Sequence, residues 1–330
     1  MPNNQTESTP PLAAAPRRRF RFSLRTLLVL VILLAIPIAW IANERRQSAL
    51  EMRIAEQLRE QGITEIEVGG PFDSLDLFTQ RKPQGWWRNL SRQILGERVF
   101  DVRGAKSDLK DITPLIGLKN IYWLDLASTP ISDLTPLAGL SSLEGLELSR
   151  TQVNQLSPLT GLSKMEWLDI GNTPVSDLSS LAGLTQLRHV KLHNTSVSDL
   201  APLVELSKLH TLFLNGTHVK YLSPLARHTD LLHLELSSTP VSDLSPLTGL
   251  TKLHTLHLDS TPVSDLSALS ELTTLERLHL DHTNVSDLTP LRGLTKLMEL
   301  DVIGTPVTKE QIESLQKALP HCRIQHDPFP

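Results

Sequence analysis

Two groups of residues in the sequence have side chains and spacings suited to binding chemistry. The first group contains two tryptophans and three carboxylates: Trp123, Asp125, Glu147, Trp167 and Asp169. Indole rings beside carboxylates attract cationic peptides through cation–π contacts and charge-assisted hydrogen bonds, and indoles also stack on sugars. We therefore predict that these five residues bind a ligand, with a solvated acidic surface as the alternative.

The second group is a pair of histidines, His257 and His279, with Asp281 two residues further along. Two imidazoles near carboxylates can coordinate a metal ion or gain a proton as the pH falls. One hypothesis is thus a metal-dependent or hydrolytic enzyme that uses these residues. No HExxH motif or comparable metal-binding spacing occurs in the sequence, however. We predict no metal site, no cofactor and no enzyme activity, and we place both histidines among the candidate ligand-binding residues.

A repeat in the sequence must position these residues. Nine threonines recur every 22 residues without insertion or deletion: Thr129, Thr151, Thr173, Thr195, Thr217, Thr239, Thr261, Thr283 and Thr305. A fixed spacing over nine cycles is typical of a stacked repeat, in which each unit contacts only its neighbours. An L-x-L alternation before each threonine predicts a short strand. The V-S-D-L-x-P-L-x-x-L segment that follows predicts turns or 3₁₀ helices, because prolines recur in it.

Stacking makes residues 22 apart close neighbours in space. Parallel strands lie about 4.8 Å apart, so the Cβ atoms of His257 and His279 should stand about 5 Å from each other. Glu235 and Asp301 continue the same column. The alternation also puts the candidate ligand-binding residues on the outward side of their strands, where a partner can reach them.

The repeat L-x-x-L-x-L-x-x-T-x-V, with its D-L-x-P-L-x-x-L continuation, resembles the leucine-rich repeat of the 22-residue internalin type found in bacteria. The resemblance extends over about residues 107–307. It implies an α/β solenoid: a curved stack with a parallel β-sheet on the concave side and turns or 3₁₀ helices on the convex side. The family usually has asparagine where the threonines stand. We therefore expect a threonine ladder between repeats, with some backbone hydrogen bonds left to water.

One repeat departs from the pattern more than the others. It carries Phe213 on a strand, Lys220 and Tyr221 in place of Ser-Asp, and His228 where leucine is usual. An exposed aromatic ring at the centre of a solenoid is a reasonable interface anchor, so Phe213 joins the candidate ligand-binding residues. The alternative is neutral drift, with His228 turned towards solvent.

An apolar segment near the N-terminus predicts a membrane anchor. Residues 26–42 carry no charge, and five arginines precede them within RRRFRFSLR. We expect a transmembrane helix over residues 22–43, with the lipid bilayer as its partner, an N-terminus in the cytoplasm and repeats outside it. A cleaved signal peptide and a twin-arginine signal are the alternatives. FSLRTLLVLV and ALPHCRI are similar to segments of bacterial membrane-anchored leucine-rich-repeat proteins.

The predicted organisation has five parts. They are a disordered basic cytoplasmic tail (1–21), the transmembrane helix (22–43), a juxtamembrane helix, linker and N-terminal cap (44–106), the repeats (107–307), and a C-terminal helical cap and tail (308–330). The charged juxtamembrane helix should continue the membrane helix outward as a stalk, and Trp86 and Trp87 should cover the first repeat. A capping box from Thr308 to Gln311 predicts the start of the terminal helix.

Composition limits the function classes. The net charge is −4 and the pI is about 6.3, which gives no reason to expect nucleic-acid binding. The single cysteine, Cys322, excludes an intramolecular disulfide framework and should be a buried residue of the C-terminal cap. The sequence therefore predicts a non-catalytic, membrane-anchored recognition protein whose concave strands hold a protein or glycan. A purely structural envelope module is a further alternative.

Overall fold

The computed structural model describes residues 24–63, 65–69 and 98–328. Helix α1 spans Leu24–Glu60 and helix α2 spans Lys309–Ala318. The twelve strands are β1 Glu65–Gly69, β2 Arg98–Arg103, β3 Trp123–Asp125, β4 Gly145–Glu147, β5 Trp167–Asp169, β6 His189–Lys191, β7 Thr211–Phe213, β8 His233–Glu235, β9 Thr255–His257, β10 Arg277–His279, β11 Glu299–Asp301 and β12 Arg323–Gln325. The predicted tail 1–21 and most of the linker, including Trp86 and Trp87, lie outside the described residues.

The twelve strands form one sheet in sequence order. Every neighbouring pair is parallel except β1 and β2, which are antiparallel. From β3 to β11 each residue is in register with the residue 22 positions later, as in the pair Leu124 and Leu146. The solenoid predicted from the repeat is therefore confirmed, with strands on one side and short 3₁₀ helices on the other.

Aspartates of the S-D-L segment form the turns that lead into the 3₁₀ helices. Asp133 Oδ1 accepts a hydrogen bond from the backbone N–H of Thr135 at 2.8 Å, and the Thr135 hydroxyl together with this N–H lowers the pKa of the Asp133 carboxyl. Six other aspartates make the same contact two residues ahead: Asp111, Asp177, Asp199, Asp243, Asp265 and Asp287. Short Asx turns of this kind fix the backbone locally, so the recurrent aspartates have a structural role.

The threonines hold their own turns and do not form a ladder between repeats. The hydroxyl of Thr129 donates to the carbonyl of Leu126, three residues earlier, at 2.6 Å. All nine threonines repeat this contact. Backbone groups link the repeats instead, as in the bond from Ser128 N–H to Ser149 C=O at 2.7 Å. The expected threonine ladder is wrong, because a short hydroxyl reaches its own turn before it reaches the next unit.

One continuous core fills the stack. Leucines such as Leu124, Leu212 and Leu300 are fully buried, and the cluster runs from Ile54 in α1 to Cys322 near the C-terminus. Because each unit buries its leucines against the next, no unit can keep its core alone.

The last turns of α1 cap the first repeat instead of projecting as a free stalk. Ile54 is buried in the core, and Gln47 Nε2 donates to the carbonyl of Gly117 at 2.8 Å. Glu51 is fully buried, and it accepts hydrogen bonds from Val99 N–H at 3.0 Å and from Asn120 Nδ2 at 2.9 Å. The helix is continuous, as predicted, but the stalk interpretation is wrong for its packed end.

Within the described residues, no helix combines the length and the apolar character needed to cross a bilayer. The transmembrane helix predicted for residues 22–43 is therefore not supported by this structure.

The C-terminal end agrees with the prediction. The N–H of Gln311 donates to Thr308 Oγ1, and the N–H of Thr308 donates to Gln311 Oε1, both at 3.4 Å. This is the expected capping box at the start of α2. Cys322 is buried as expected, and burial raises the pKa of its thiol to about 11.

Candidate binding surface on the strands

The outward side chains of β3–β11, at the first and third position of each strand, form a surface that we call the strand face. The middle residue of each strand is fully buried, so the residues on either side of it point away from the core. All eight candidate ligand-binding residues occupy these outward positions: Trp123, Asp125, Glu147, Trp167, Asp169, Phe213, His257 and His279. The structure therefore places them on one side of the sheet. Their role in binding stays a prediction.

Trp123 and Trp167 contact each other across the strand that separates them. Their ring centroids are 6.1 Å apart, and the ring planes are inclined by 45°. Between them lies Gly145, where an added Cβ would overlap the Trp123 ring. A glycine is thus what allows the two indoles to meet. Sequence reasoning missed this residue, although it is the only glycine at the first strand position of β3–β11.

The Lys191 ammonium lies near the rings of both Trp167 and Phe213. Its Nζ lies 4.8 Å from the centroid of the Trp167 ring and 5.7 Å from that of Phe213. The same atom is 3.6 Å from Asp169 Oδ2. His189 extends the group, with its ring centroid 5.0 Å from that of Trp167. We call Trp123, Trp167, His189, Lys191 and Phe213 the aromatic patch.

Lys191 changes the predicted chemistry of the acidic residues. Because its ammonium lies beside Trp167 and Asp169, it already occupies the cation position that we expected a ligand to fill there. Within the described residues, Asp125 and Glu147 form no ion pair, and the Arg103 side chain on the strand beside Asp125 is paired with Asp101 instead. Asp125 and Glu147 each use one oxygen to accept a hydrogen bond two residues ahead, from Ala127 N–H at 3.0 Å and from Ser149 N–H at 3.3 Å.

Burial raises the pKa of Glu147, and the neighbouring Asp169 and Asp125 carboxylates raise it further. The register places Glu147 directly between these two residues. Removing water from a carboxylate and placing it beside like charges both disfavour the ionised form. An added cation would relieve that cost, so this end of the strand face favours a positively charged group.

His257 and His279 stack on each other, which confirms the predicted adjacency. Their ring centroids are 4.1 Å apart, and the planes are inclined by only 6°. His257 Nδ1 is 3.8 Å from Glu235 Oε1, and His279 Nε2 is 3.6 Å from Asp301 Oδ2. We call these four residues the histidine patch. Burial lowers the pKa of His257, and the neighbouring His279 lowers it further.

Asp281 links its own repeat to the next one. Its Oδ1 accepts a hydrogen bond from the backbone N–H of Ile303 in the next unit at 2.7 Å. Asp259 makes the equivalent contact with the N–H of Asp281 at 3.1 Å. The hydrolase hypothesis requires Asp281 to act with the two histidines, whereas the observed contact fixes it to the neighbouring backbone.

His228 is buried, so the expectation that it turns to solvent is wrong. Only 1% of the residue is exposed, and its Nε2 lies 3.0 Å from the carbonyl oxygen of Leu203. Its Nδ1 is buried and has no hydrogen-bond partner within the described residues. Tyr221 of the same repeat is 70% exposed, on the turn side of the stack.

Comparisons with known proteins agree with this architecture. The family model described as Leucine Rich repeats (2 copies) matches residues 229–271. A search of curated proteins finds no significant match. Among solved structures, 532 chains match significantly, which shows how common the fold is.

Two internalins of Listeria monocytogenes are among the similar structures. Internalin C2 is 32% identical, with a TM-score of 0.52, and the match covers 59% of this chain and 83% of that one. Internalin F is 22% identical, with a TM-score of 0.53, and the match covers 69% of this chain and 82% of that one.

The leucine-rich-repeat ectodomain of the Arabidopsis thaliana receptor kinase GASSHO1/SCHENGEN3 is 22% identical, with a TM-score of 0.58. That match covers 66% of this chain and 29% of the receptor chain. Internalin F and this receptor show the fold alone, whereas internalin C2 also shares a third of its residues over most of its length. The chain is therefore an internalin-like member of the leucine-rich-repeat proteins.

Proposed function

We propose that this protein is a non-catalytic recognition protein that holds a partner protein on its strand face, with the aromatic patch as the main contact. One observation carries the proposal: partly exposed aromatic rings lie beside Asp125 and Glu147, each of which has a carboxylate oxygen without a hydrogen bond in the described residues.

The chemistry of the patch favours a partner segment with a basic side chain. A guanidinium or ammonium group could contact the Asp125 and Glu147 carboxylates while its stem or plane packs on Trp123. Arginine in particular combines carboxylate binding with stacking on aromatic rings. Trp167 and Phe213, tied by Lys191, would supply the apolar contacts that dominate many interfaces.

The scaffold supports this assignment because it is rigid before a partner arrives. A continuous core and the Asx turns fix the positions of the strands, so little side-chain and backbone freedom remains to be lost on binding. The plant receptor ectodomain is described in complex with Casparian strip integrity factor 2, an example of a leucine-rich-repeat ectodomain that holds a ligand.

A pull-down with quantified partners tests the proposal. The full chain and its Trp167→Ala and Glu147→Gln variants would be used as baits against an extract of the native cells, with chemical cross-linking. Loss of an interface anchor costs about 2 kcal/mol or more, which is about thirtyfold in affinity. We expect at least a tenfold loss of the specific partner with either variant. Its binding should also weaken as the salt concentration rises.

Tyr221→Ala is the matched control, because it removes an exposed aromatic ring from the turn side. A partner that persists with both strand-face variants but is lost with the control would contradict the proposed surface. Persistence of every partner with all three variants would favour the purely structural module. If the bait retained a glycan and captured no protein, the partner on these aromatic rings would be a sugar and not a protein.

We also propose, on sequence grounds alone, that residues 22–43 anchor the chain in the lipid bilayer with the repeats outside the cytoplasm. The uncharged stretch 26–42 and the five arginines before it support this proposal. A phosphatase fused after residue 330 should be active only outside the cytoplasm. A full-length fusion without phosphatase activity, or a chain released from membranes by high salt, would contradict it.

A further inference from the structure

We propose that His279, Glu299 and Asp301 form a binding site for one divalent transition-metal ion, with zinc as the best match to their chemistry. The sequence predicted no metal site, and the proposed partner recognition does not require one. The inference rests on the contacts of β10 and β11, at the end of the strand face opposite the aromatic patch.

The three side chains already converge. One ligand atom from each residue can be chosen so that all three lie within 4.8 Å of one another. His279 and Asp301 are register partners on adjacent strands, and His279 Nε2 is 3.6 Å from Asp301 Oδ2. Zinc binds nitrogen and oxygen at about 2.0–2.2 Å in a tetrahedral arrangement, which puts neighbouring ligand atoms about 3.3–3.6 Å apart. The observed pair of His279 and Asp301 is already close to that spacing.

Two polar atoms of this group make no hydrogen bond. His279 Nε2 and Asp301 Oδ1 are buried, and neither has a hydrogen-bond partner within the described residues. Buried polar atoms without a partner are uncommon, and each is costly. A cation bound by His279 Nε2 and the Asp301 carboxylate would give the imidazole nitrogen a partner and would compensate the charge of the carboxylate.

The two acids of the histidine patch differ in their hydrogen bonds. Glu235 is the register partner of His257, as Asp301 is of His279. Glu235 Oε2 accepts a hydrogen bond from Asn215 Nδ2, whereas no described residue donates to Asp301 Oδ1. The two acids therefore differ in their capacity to take a metal ion.

The surroundings suit a cation. The parallel ring of His257, 4.1 Å away, limits rotation of the His279 imidazole. Two carboxylates would neutralise a divalent ion. Arg323 Nη1 is 4.0 Å from Glu299 Oε1, and the Arg323 side chain is 70% exposed. An exposed pair at this distance contributes little, so it presents only a weak competitor. Burial also raises the pKa of Asp301, as expected for a carboxylate without a cation.

Zinc fits the donor set better than other biological cations. Calcium and magnesium prefer all-oxygen sites, whereas one imidazole with two carboxylates is a set that zinc accepts, with water at the fourth position. Without a nucleophile or a defined substrate pocket, we assign binding only. The ion would join β10 to β11 and present a coordination position at the surface.

Zinc titration of the full chain, stripped with a chelator, tests the site directly by calorimetry and by metal analysis after dialysis. We expect one zinc per chain, released again by chelator, and a rise in the thermal unfolding temperature with zinc concentration. His279→Gln and Asp301→Asn should each weaken binding at least tenfold, and Glu299→Gln should weaken it measurably.

The preceding pair of the histidine patch provides matched controls. Glu235→Gln removes the corresponding acid and should leave zinc affinity within about threefold, a difference of less than 1 kcal/mol. Circular dichroism would confirm that each variant is folded. Absence of stoichiometric zinc, or equal binding by wild type and His279→Gln, would overturn the proposal. Loss of binding with His257→Gln but not with Glu299→Gln would also overturn it, because the ion would then lie between the two rings.

Discussion

The aromatic patch and the histidine patch share one strand lattice, yet their rings meet in different ways. Trp123 and Trp167 lie two strands apart with planes inclined by 45°, whereas His257 and His279 lie on adjacent strands with planes inclined by 6°. The backbone sets the same spacing in both regions. The residue types between and beside the rings therefore decide how they pack.

The two patches also differ in how their acids are neutralised. Lys191 lies 3.6 Å from Asp169 and contacts Trp167, so the aromatic patch has its own cation. The histidine patch depends on imidazoles, which are charged only when protonated. The acid beside the aromatic patch is therefore paired with a lysine, whereas the pairing of acids in the histidine patch can change with pH or with a bound ion. Four predictions test this difference, beginning with the largest expected effect.

His228→Leu should stabilise the stack by about 1–3 kcal/mol, because it removes a buried nitrogen that has no partner and restores the leucine usual at that position. Denaturant unfolding monitored by circular dichroism would measure the change. The two patches should keep their properties, since the substitution lies in the core. A destabilised variant would show that the contact between His228 Nε2 and the Leu203 carbonyl outweighs the unpaired Nδ1.

Gly145→Ala should destabilise the protein by about 1 kcal/mol and separate the two indoles. The new Cβ meets the Trp123 ring, so the ring must swing away and lose its contact with Trp167. Near-ultraviolet circular dichroism and tryptophan fluorescence would report the separation, and the histidine patch should be unaffected.

Gly139→Ala is the control, because nothing lies within 4 Å of a Cβ at that position. It should leave the tryptophan signals unchanged. An unchanged near-ultraviolet spectrum in Gly145→Ala would contradict the assigned role of the glycine.

The repeat made the lattice predictable. Regular spacing of leucines and prolines determines the strands, the 3₁₀ helices and the register, because these depend on backbone periodicity and burial. The same periodicity placed His257 beside His279 correctly. It also placed every candidate residue on the outward side of a strand.

Side-chain directions were not predictable in the same way. Lys191 reaches Trp167 diagonally, from the adjacent strand and two positions further along it, and no spacing rule selects that rotamer. The threonine hydroxyls could bond within a turn or between turns, and the sequence pattern is the same in both cases. The packing of Ile54 and Glu51 on the first repeat depends on how the last turns of α1 lie against that repeat, which local propensity does not specify.

Glu147→Gln should stabilise the folded protein at pH 7 by about 0.2–1 kcal/mol, because it removes a charge that faces Asp125 and Asp169 across the strands. The folded-state pKa of Glu147 is raised, so its ionised form opposes folding. The gain should therefore be present above that pKa and disappear as the pH falls through it and the wild-type residue takes up a proton. Thermal unfolding at pH 7 and at pH 4 would measure both values.

Glu271→Gln is the control, since Glu271 is exposed on the turn side. Glu147→Gln should also weaken the proposed partner while it stabilises the fold. Because partner affinity should fall while the free energy of unfolding rises, weaker binding could not be explained by a less stable protein. A variant that is less stable at pH 7 would show that Glu147 is favourably paired.

His257→Gln should have the smallest effect, below about 1 kcal/mol in total, since 23% of the side chain stays exposed and solvent screens its charge. The folded-state pKa of His257 is lowered, mainly by burial and then by His279, and Arg277 acts in the same direction, whereas Glu235 and Asp259 oppose it. The unfolded chain then binds the proton more readily than the folded chain does. Wild-type stability should fall as the pH drops below about 6.5 and level off beneath the folded-state pKa.

The Gln variant should lessen that decline without abolishing it, because burial also lowers the pKa of His189 and His233. Denaturant unfolding at intervals between pH 7.5 and 4.5 would show the difference in slope, and the exposed His321 provides a His→Gln control. A slope unchanged by His257→Gln would mean that the stacked pair does not sense pH. The proposed metal site would then be the remaining difference in charge between the histidine patch and the aromatic patch.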